Sequence, residues 1–119
     1  MPLEIVEPLP LEAFFKPAAW PKGTGALMTT RVGGVSAPPY DSLNLKAQTD
    51  DPLAQIAVAE NRRRFATTLG ATPVFLEQVH GTRVVRLAAG HVGPDAATER
   101  ADASITTVPG IACTVLVAD

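Results

Sequence analysis

Residues Ile111, Ala112, Cys113, Thr114, Val115, Leu116, Val117 and Ala118 form an almost unbroken apolar run. A strand with that composition is normally buried on both faces, under helices or a second sheet. The rest of the chain offers only one good helical pattern as cover. The run is therefore expected either to be covered by an oligomer partner or to belong to the front part of a larger fold. At 119 residues the chain is one domain or less, and residues 1–119 read as a single incomplete domain.

The helix is expected over residues 52–69. Asp51 suits its N-cap, Pro52 its first position and Gly70 the stop just beyond its end. Apolar residues at 53, 56, 57, 65 and 69 read as the stripe that packs on a sheet. Prolines 2, 8, 10, 17 and 21 break up the first 25 residues into a short strand, a helical turn near 11–15 and loop. Strands are expected at 26–30, 73–79, 82–88, 102–107 and 111–118, with Pro109-Gly110 turning the chain between the last two. Residues 31–50 form a long irregular segment, of the kind that often carries function. The class implied is α/β (α+β): mixed sheets with helices.

Hydrophobic residues make up 46% of the chain and charged residues 18%, which indicates a globular protein. A net charge of −2 gives no footprint for nucleic acid, and Arg62-Arg63-Arg64 reads as a solvated helix face. One cysteine, Cys113, forbids an internal disulfide. No basic leader and no long apolar span is visible, so a cytoplasmic location without membrane contact is expected.

Chemistry concentrates in Gln78-Val79-His80-Gly81, where a histidine ends an apolar strand-like run directly before a glycine. A histidine placed so can leave the sheet and face a cleft, as a metal ligand or a general base. It cannot hold a catalytic zinc alone, because such sites take three protein ligands. A lone histidine is more often a plain core or surface residue. His91, between Gly90 and Gly93, is expected to be exposed and uninvolved. Cys113, with apolar neighbours, is expected to be buried and inert. Asp102 reads as a turn residue that bonds loop backbone or orients a neighbouring strand.

Several segments in order resemble one family. They are Thr29-Thr30-Arg31-Val32-Gly33-Gly34-Val35-Ser36, Ser42-Leu43-Asn44-Leu45, Glu60-Asn61-Arg62, Gln78-Val79-His80-Gly81 and Val117-Ala118-Asp119. Their order and spacing are similar to the YfiH-like family, known as peptidoglycan editing factor and as laccase-like multicopper polyphenol oxidoreductase. The resemblance implies the N-terminal part of a layered α/β/β/α sandwich. It also implies a zinc site of two histidines and one cysteine, with purine nucleoside phosphorylase and adenosine deaminase activity on purine nucleoside and phosphate. Copper-dependent phenol oxidation is the older assignment. Only His80 carries over, as metal ligand and catalytic residue. The family's cysteine follows the Ala-Asp pair, here Ala118-Asp119, so the remaining ligands are absent from this chain. Gln48 and Asp50 stand where the family has a histidine and a glycine.

Within that frame Arg31, at the start of a glycine-containing loop, is either a bidentate phosphate ligand or the surface partner of Asp41. Ser42 and Asn44 either hydrogen-bond a ribose or base, or bond their own backbone as turn residues. Gly33 and Gly34 either admit a ligand or are turn glycines. The rival to a zinc enzyme is a non-catalytic module that self-associates through an uncovered sheet.

Overall fold

The computed structural model describes residues 6–17, 19–47 and 50–117. Two expectations lie outside these residues, namely the path of the loop at Gln48 and the strand tip at Ala118 and Asp119. Backbone contacts divide the chain into two compact units, Met1–Leu69 and Gly70–Asp119. Among the described residues they hold one long helix and three two-stranded sheets, the mixed α/β class expected.

In the first unit a 3-10 turn, Leu11–Ala13, leads into β1 (Phe14–Phe15), which pairs antiparallel with β2 (Met28–Thr29). Helix α1 spans Pro52–Leu69. Its start follows from local chemistry: the Asp51 carboxylate accepts the Leu53 N–H at 3.0 Å, and the Asp51 carbonyl accepts Gln55 N–H. Its end follows from Gly70, which takes the left-handed conformation (φ 70°) that a helix C′ position favours.

The buried face of α1 differs from the expected stripe. Val58, Asn61 and Phe65 point inward, while Leu53 and Ile56 are exposed. The phase is set by what lies against the helix, the 33–46 loop, whose backbone polar groups need an amide partner. The three arginines are not a merely solvated face either. Arg62 is half-buried and donates to the Leu45 carbonyl at 2.8 Å. Burial lowers its pKa, and its guanidinium stays charged regardless. Arg63 and Arg64 both bond Glu60, at 3.0 Å in each case. The Glu60 carboxyl is held below its ordinary range by Arg64 first and then Arg63.

In the second unit β3 (Thr72–Val74) pairs parallel with β6 (Ile111–Cys113), and β4 (Val84–Leu87) pairs parallel with β5 (Ala103–Thr106). Leu76, Val85, Leu87 and Ala101 form the core, with Val74 and Ile111 packed against it. Full burial of each large apolar side chain stabilises by roughly 1.5–3 kcal/mol. The expected strand over 111–118 stops at Cys113, because β3 offers no backbone partner beyond Val74. Among the described residues this unit has no α-helix, and one face of its apolar run is uncovered: Cys113, Val115 and Val117 are exposed, while Thr114 between them is buried. The expectation of a buried Cys113 is thereby corrected. Its neighbours are apolar in sequence, yet they do not enclose it.

Candidate functional site

His80 sits in the loop between Glu77 and β4. Residues 99–106 form one continuous edge along this region. Glu77 bridges it first, with Glu77 N–H donating to the Glu99 carbonyl (2.9 Å) and Ala101 N–H to the Glu77 carbonyl (3.1 Å). The edge then pairs with β4, in the register Val84 opposite Ala103. Between the two pairings the chain bulges out of the ladder. The N–H groups of Val79, His80 and Gly81 turn instead to the Asp102 carboxylate. Val79 N–H reaches Oδ1 at 3.1 Å, His80 N–H reaches Oδ1 at 2.9 Å and Gly81 N–H reaches Oδ2 at 2.7 Å. These bonds, Gly81 foremost, hold the Asp102 carboxyl below its usual range, against a smaller opposing effect of burial. Asp102 thus bonds loop backbone, one of the two roles read for it.

His80 takes φ 59°, the one non-glycine in the left-handed region among the described residues. It is exposed, and its ring makes no hydrogen bond among them. It is not sealed in the core. Gln78 stabilises the loop from a second direction. Its side-chain amide accepts Leu116 N–H at 2.8 Å and donates to the Leu116 carbonyl at 3.1 Å, the pairing a neighbouring strand would provide.

His91 corrects the reading of an uninvolved surface residue. It is half-buried. Its Nδ1 accepts Ala88 N–H at 2.9 Å, which leaves the proton on Nε2 to be donated to Glu99 at 3.3 Å. Glu99 also pairs with Arg83 at 3.0 Å, and that bond is the chief reason its pKa is lowered. His91 therefore braces the connection before β5.

The other sequence candidates lie in the first unit. Arg31 is largely exposed; its Nη2 donates to the Asp41 carbonyl at 3.0 Å and stands 3.7 Å from the Asp41 carboxylate. Ser42 Oγ accepts Gly34 N–H at 3.2 Å, and Asn44 Oδ1 accepts Lys46 N–H at 3.1 Å. Both side chains serve the turn that carries them. Gly33 and Gly34 are explained by packing. A Cβ on Gly33 would lie 2.6 Å from Ala13 Cβ, and one on Gly34 would run into the Ser42 carbonyl oxygen.

The residue that organises this loop carries no sequence motif of a structural centre. Asn61 is fully buried. Its Oδ1 accepts Val35 N–H at 2.8 Å, and its Nδ2 faces Ser36 Oγ (2.9 Å), the Asn44 carbonyl (2.9 Å) and the Ser42 carbonyl (3.2 Å). The available signal was an amide in mid-helix between Val58 and Phe65, on the face that turns inward.

Among the described residues no group of three His, Cys, Asp or Glu side chains is placed to hold a metal ion. The exposed imidazole of His80 fits the role of one ligand, and the described residues alone do not make a metal centre. Nor is any helix among them long and apolar enough to cross a membrane.

Comparison with known proteins gives this geometry a family context. Purine nucleoside phosphorylase YfiH of Escherichia coli (strain K12) is 50% identical over 101 residues, which cover 83% of this chain and 39% of that protein. Purine nucleoside phosphorylase PA4543 of Pseudomonas aeruginosa is 48% identical over 99 residues, 83% of this chain and 38% of that one. The crystal structure of Neisseria meningitidis protein NMB0706 matches with a TM-score of 0.75 and 38% identity, over 90% of this chain and 42% of that one. The chain spans about two fifths of the length of the curated relatives it matches. The sequence pattern described as "Multi-copper polyphenol oxidoreductase laccase" matches residues 25–119. With most of its length inside that pattern, this chain belongs to the multi-copper polyphenol oxidoreductase laccase family, in the company of relatives named purine nucleoside phosphorylase.

Proposed function

We propose that this chain is the N-terminal part of a zinc-dependent enzyme that cleaves adenosine and inosine with phosphate and deaminates adenosine. The observation that carries the reading is 50% identity to purine nucleoside phosphorylase YfiH across 83% of the chain. His80 supplies one imidazole to the metal, from a loop that leaves its ring exposed. Arg31, with its exposed guanidinium, is the phosphate contact. Ser42 and Asn44 contribute to binding of ribose or base through the turn they shape. In phosphorolysis a phosphate oxygen bonds to the ribose anomeric carbon as the glycosidic C–N bond breaks, and the base leaves with that electron pair and takes up a proton. Charge stabilisation of phosphate and departing base is the main demand on the protein. Zinc, when bound, supplies an acidified water for deamination; the ligands beyond His80 come from outside the described residues.

The expected behaviour of the 119-residue chain alone is weak zinc binding, lost in His80→Ala, and little or no turnover. Zinc titration with a phosphate-dependent inosine assay checks this. Micromolar binding with robust product formation would mean that the site is complete here and has been misplaced. In the longest protein product containing this sequence, His80→Ala is expected to lower inosine cleavage at least a hundredfold, and unchanged cleavage removes His80 from the site.

The family description favours a second reading, copper-dependent polyphenol oxidation. The resemblance weighs against it, because the metal site it implies has two histidines and one cysteine, whereas a multicopper site needs many histidines. His91 is already engaged by Ala88 and Glu99. A third reading, self-association through the uncovered sheet, draws on the exposed Val84, Ile105, Val115 and Val117. Light scattering separates it from the first, since a well-behaved monomer argues against it.

A further inference from the structure

We propose that Asp102 is a positioning residue, whose carboxylate holds the 79–81 backbone so that His80 keeps its left-handed conformation and an accessible ring. The inference deepens the reading of His80 as a metal ligand and rests on it. Its basis is an interrupted ladder. The 99–106 edge pairs with Glu77 and then with β4, and the three amides between have no strand opposite them. Asp102 lies at the start of β5, where its own N–H donates to the Arg83 carbonyl at 3.3 Å. From there one carboxylate takes all three amides, with both oxygens in use. A carboxylate has enough lone pairs for three acceptor bonds, and each is charge-assisted.

The conformation being held is otherwise unfavourable. A non-glycine residue at φ 59° persists only where its surroundings fix it. The ring makes no hydrogen bond among the described residues, so the backbone bonds to Asp102 act on it only through the direction in which the Cα–Cβ bond leaves the loop. Asn at position 102 offers one acceptor oxygen and an amino group that repels facing N–H donors. Ala offers nothing. A graded response is therefore expected.

The test uses the full 119-residue chain as wild type, Asp102→Asn, Asp102→Ala and His80→Ala. Amide exchange at residues 79, 80 and 81 is measured with the His80 amide-to-Hα coupling, and zinc ions alone are titrated against the imidazole resonances. In Asp102→Ala the three amides are expected to exchange at least tenfold faster, and the coupling at His80 to average. Zinc binding at His80 is expected to stay weak in both Asp102 variants and to be lost only in His80→Ala, because orientation of one imidazole counts only where further ligands share the ion. In exchange and coupling Asp102→Asn falls between, and also serves if the alanine variant does not fold. Protection in β4 and β5 stays as in wild type. Unchanged exchange and coupling in both variants overturn the proposal, and so does loss of β4 and β5 protection in step with residues 79–81. Zinc binding that survives His80→Ala overturns the metal reading separately, with the loop measurements still deciding what holds the backbone.

Discussion

Replacing Asn61 by Ala should be the most damaging single polar substitution in the first unit. The side chain is fully buried and satisfies three kinds of partner at once: the Val35 N–H, the Ser36 hydroxyl and the carbonyls of Ser42 and Asn44. Two N–H donors and one acceptor amount to about three hydrogen bonds, each worth roughly 1 kcal/mol net. The Val35 N–H and at least one carbonyl would then be left unpaired, at roughly 1–3 kcal/mol per orphaned group. Partial relaxation and water entry offset some of this, so a loss of about 3–5 kcal/mol is expected. That is a large fraction of the roughly 5–15 kcal/mol by which domains are stable. Asn61→Asp keeps the acceptor for Val35 but turns an oxygen toward two carbonyls, so it should cost at least as much at neutral pH. Urea unfolding followed by the single Trp20 measures the loss, and amide exchange at Val35 localises it. A loss below about 1 kcal/mol for both variants, with Val35 still protected, would refute the claim that this amide organises the loop.

Gly34→Ala places a methyl group against the Ser42 carbonyl oxygen and Asn61 Oδ1; the overpacking should cost about 1–3 kcal/mol in the same unfolding assay. Glu60 has a lowered pKa through Arg64 and Arg63. Its contribution is present above the unfolded carboxylate value of about 4.3 and is lost as pH falls through the depressed folded value. Glu60→Gln should therefore flatten the acid limb of the stability–pH profile and leave the shape above pH ~5 alone. Cys113 is exposed, and a thiol reagent should titrate it fully without denaturant; protection until unfolding would contradict the uncovered strand.

The ends of α1 could be read from sequence because their causes are local. Asp51 caps and Gly70 stops within a residue or two of the helix they bound. The inward face could not, because the chosen side depends on a loop distant in sequence. Leu53 and Ile56 look like core and are exposed, while Asn61 looks like surface and is buried. The segment around His80 stood out as a motif, but its geometry did not. Nothing local to His80 announces that a carboxylate about twenty residues later will take its amide. The bracing of His91 by Glu99 spans only eight residues, yet it too depends on a loop path that no local pattern marks. Cys113 is exposed despite its apolar flanks, because neighbours in sequence need not be neighbours in space.

The Gln78 side chain acts as a borrowed peptide group opposite Leu116, donating on one side and accepting on the other. That reciprocity makes the tether vulnerable to slow chemical ageing. Deamidation would exchange the NH2 for an oxygen and set a negative charge against the Leu116 carbonyl, so one attraction becomes a repulsion. Samples stored warm should lose protection of the Leu116 amide in step with the appearance of the acidic form, long before any loss of helix.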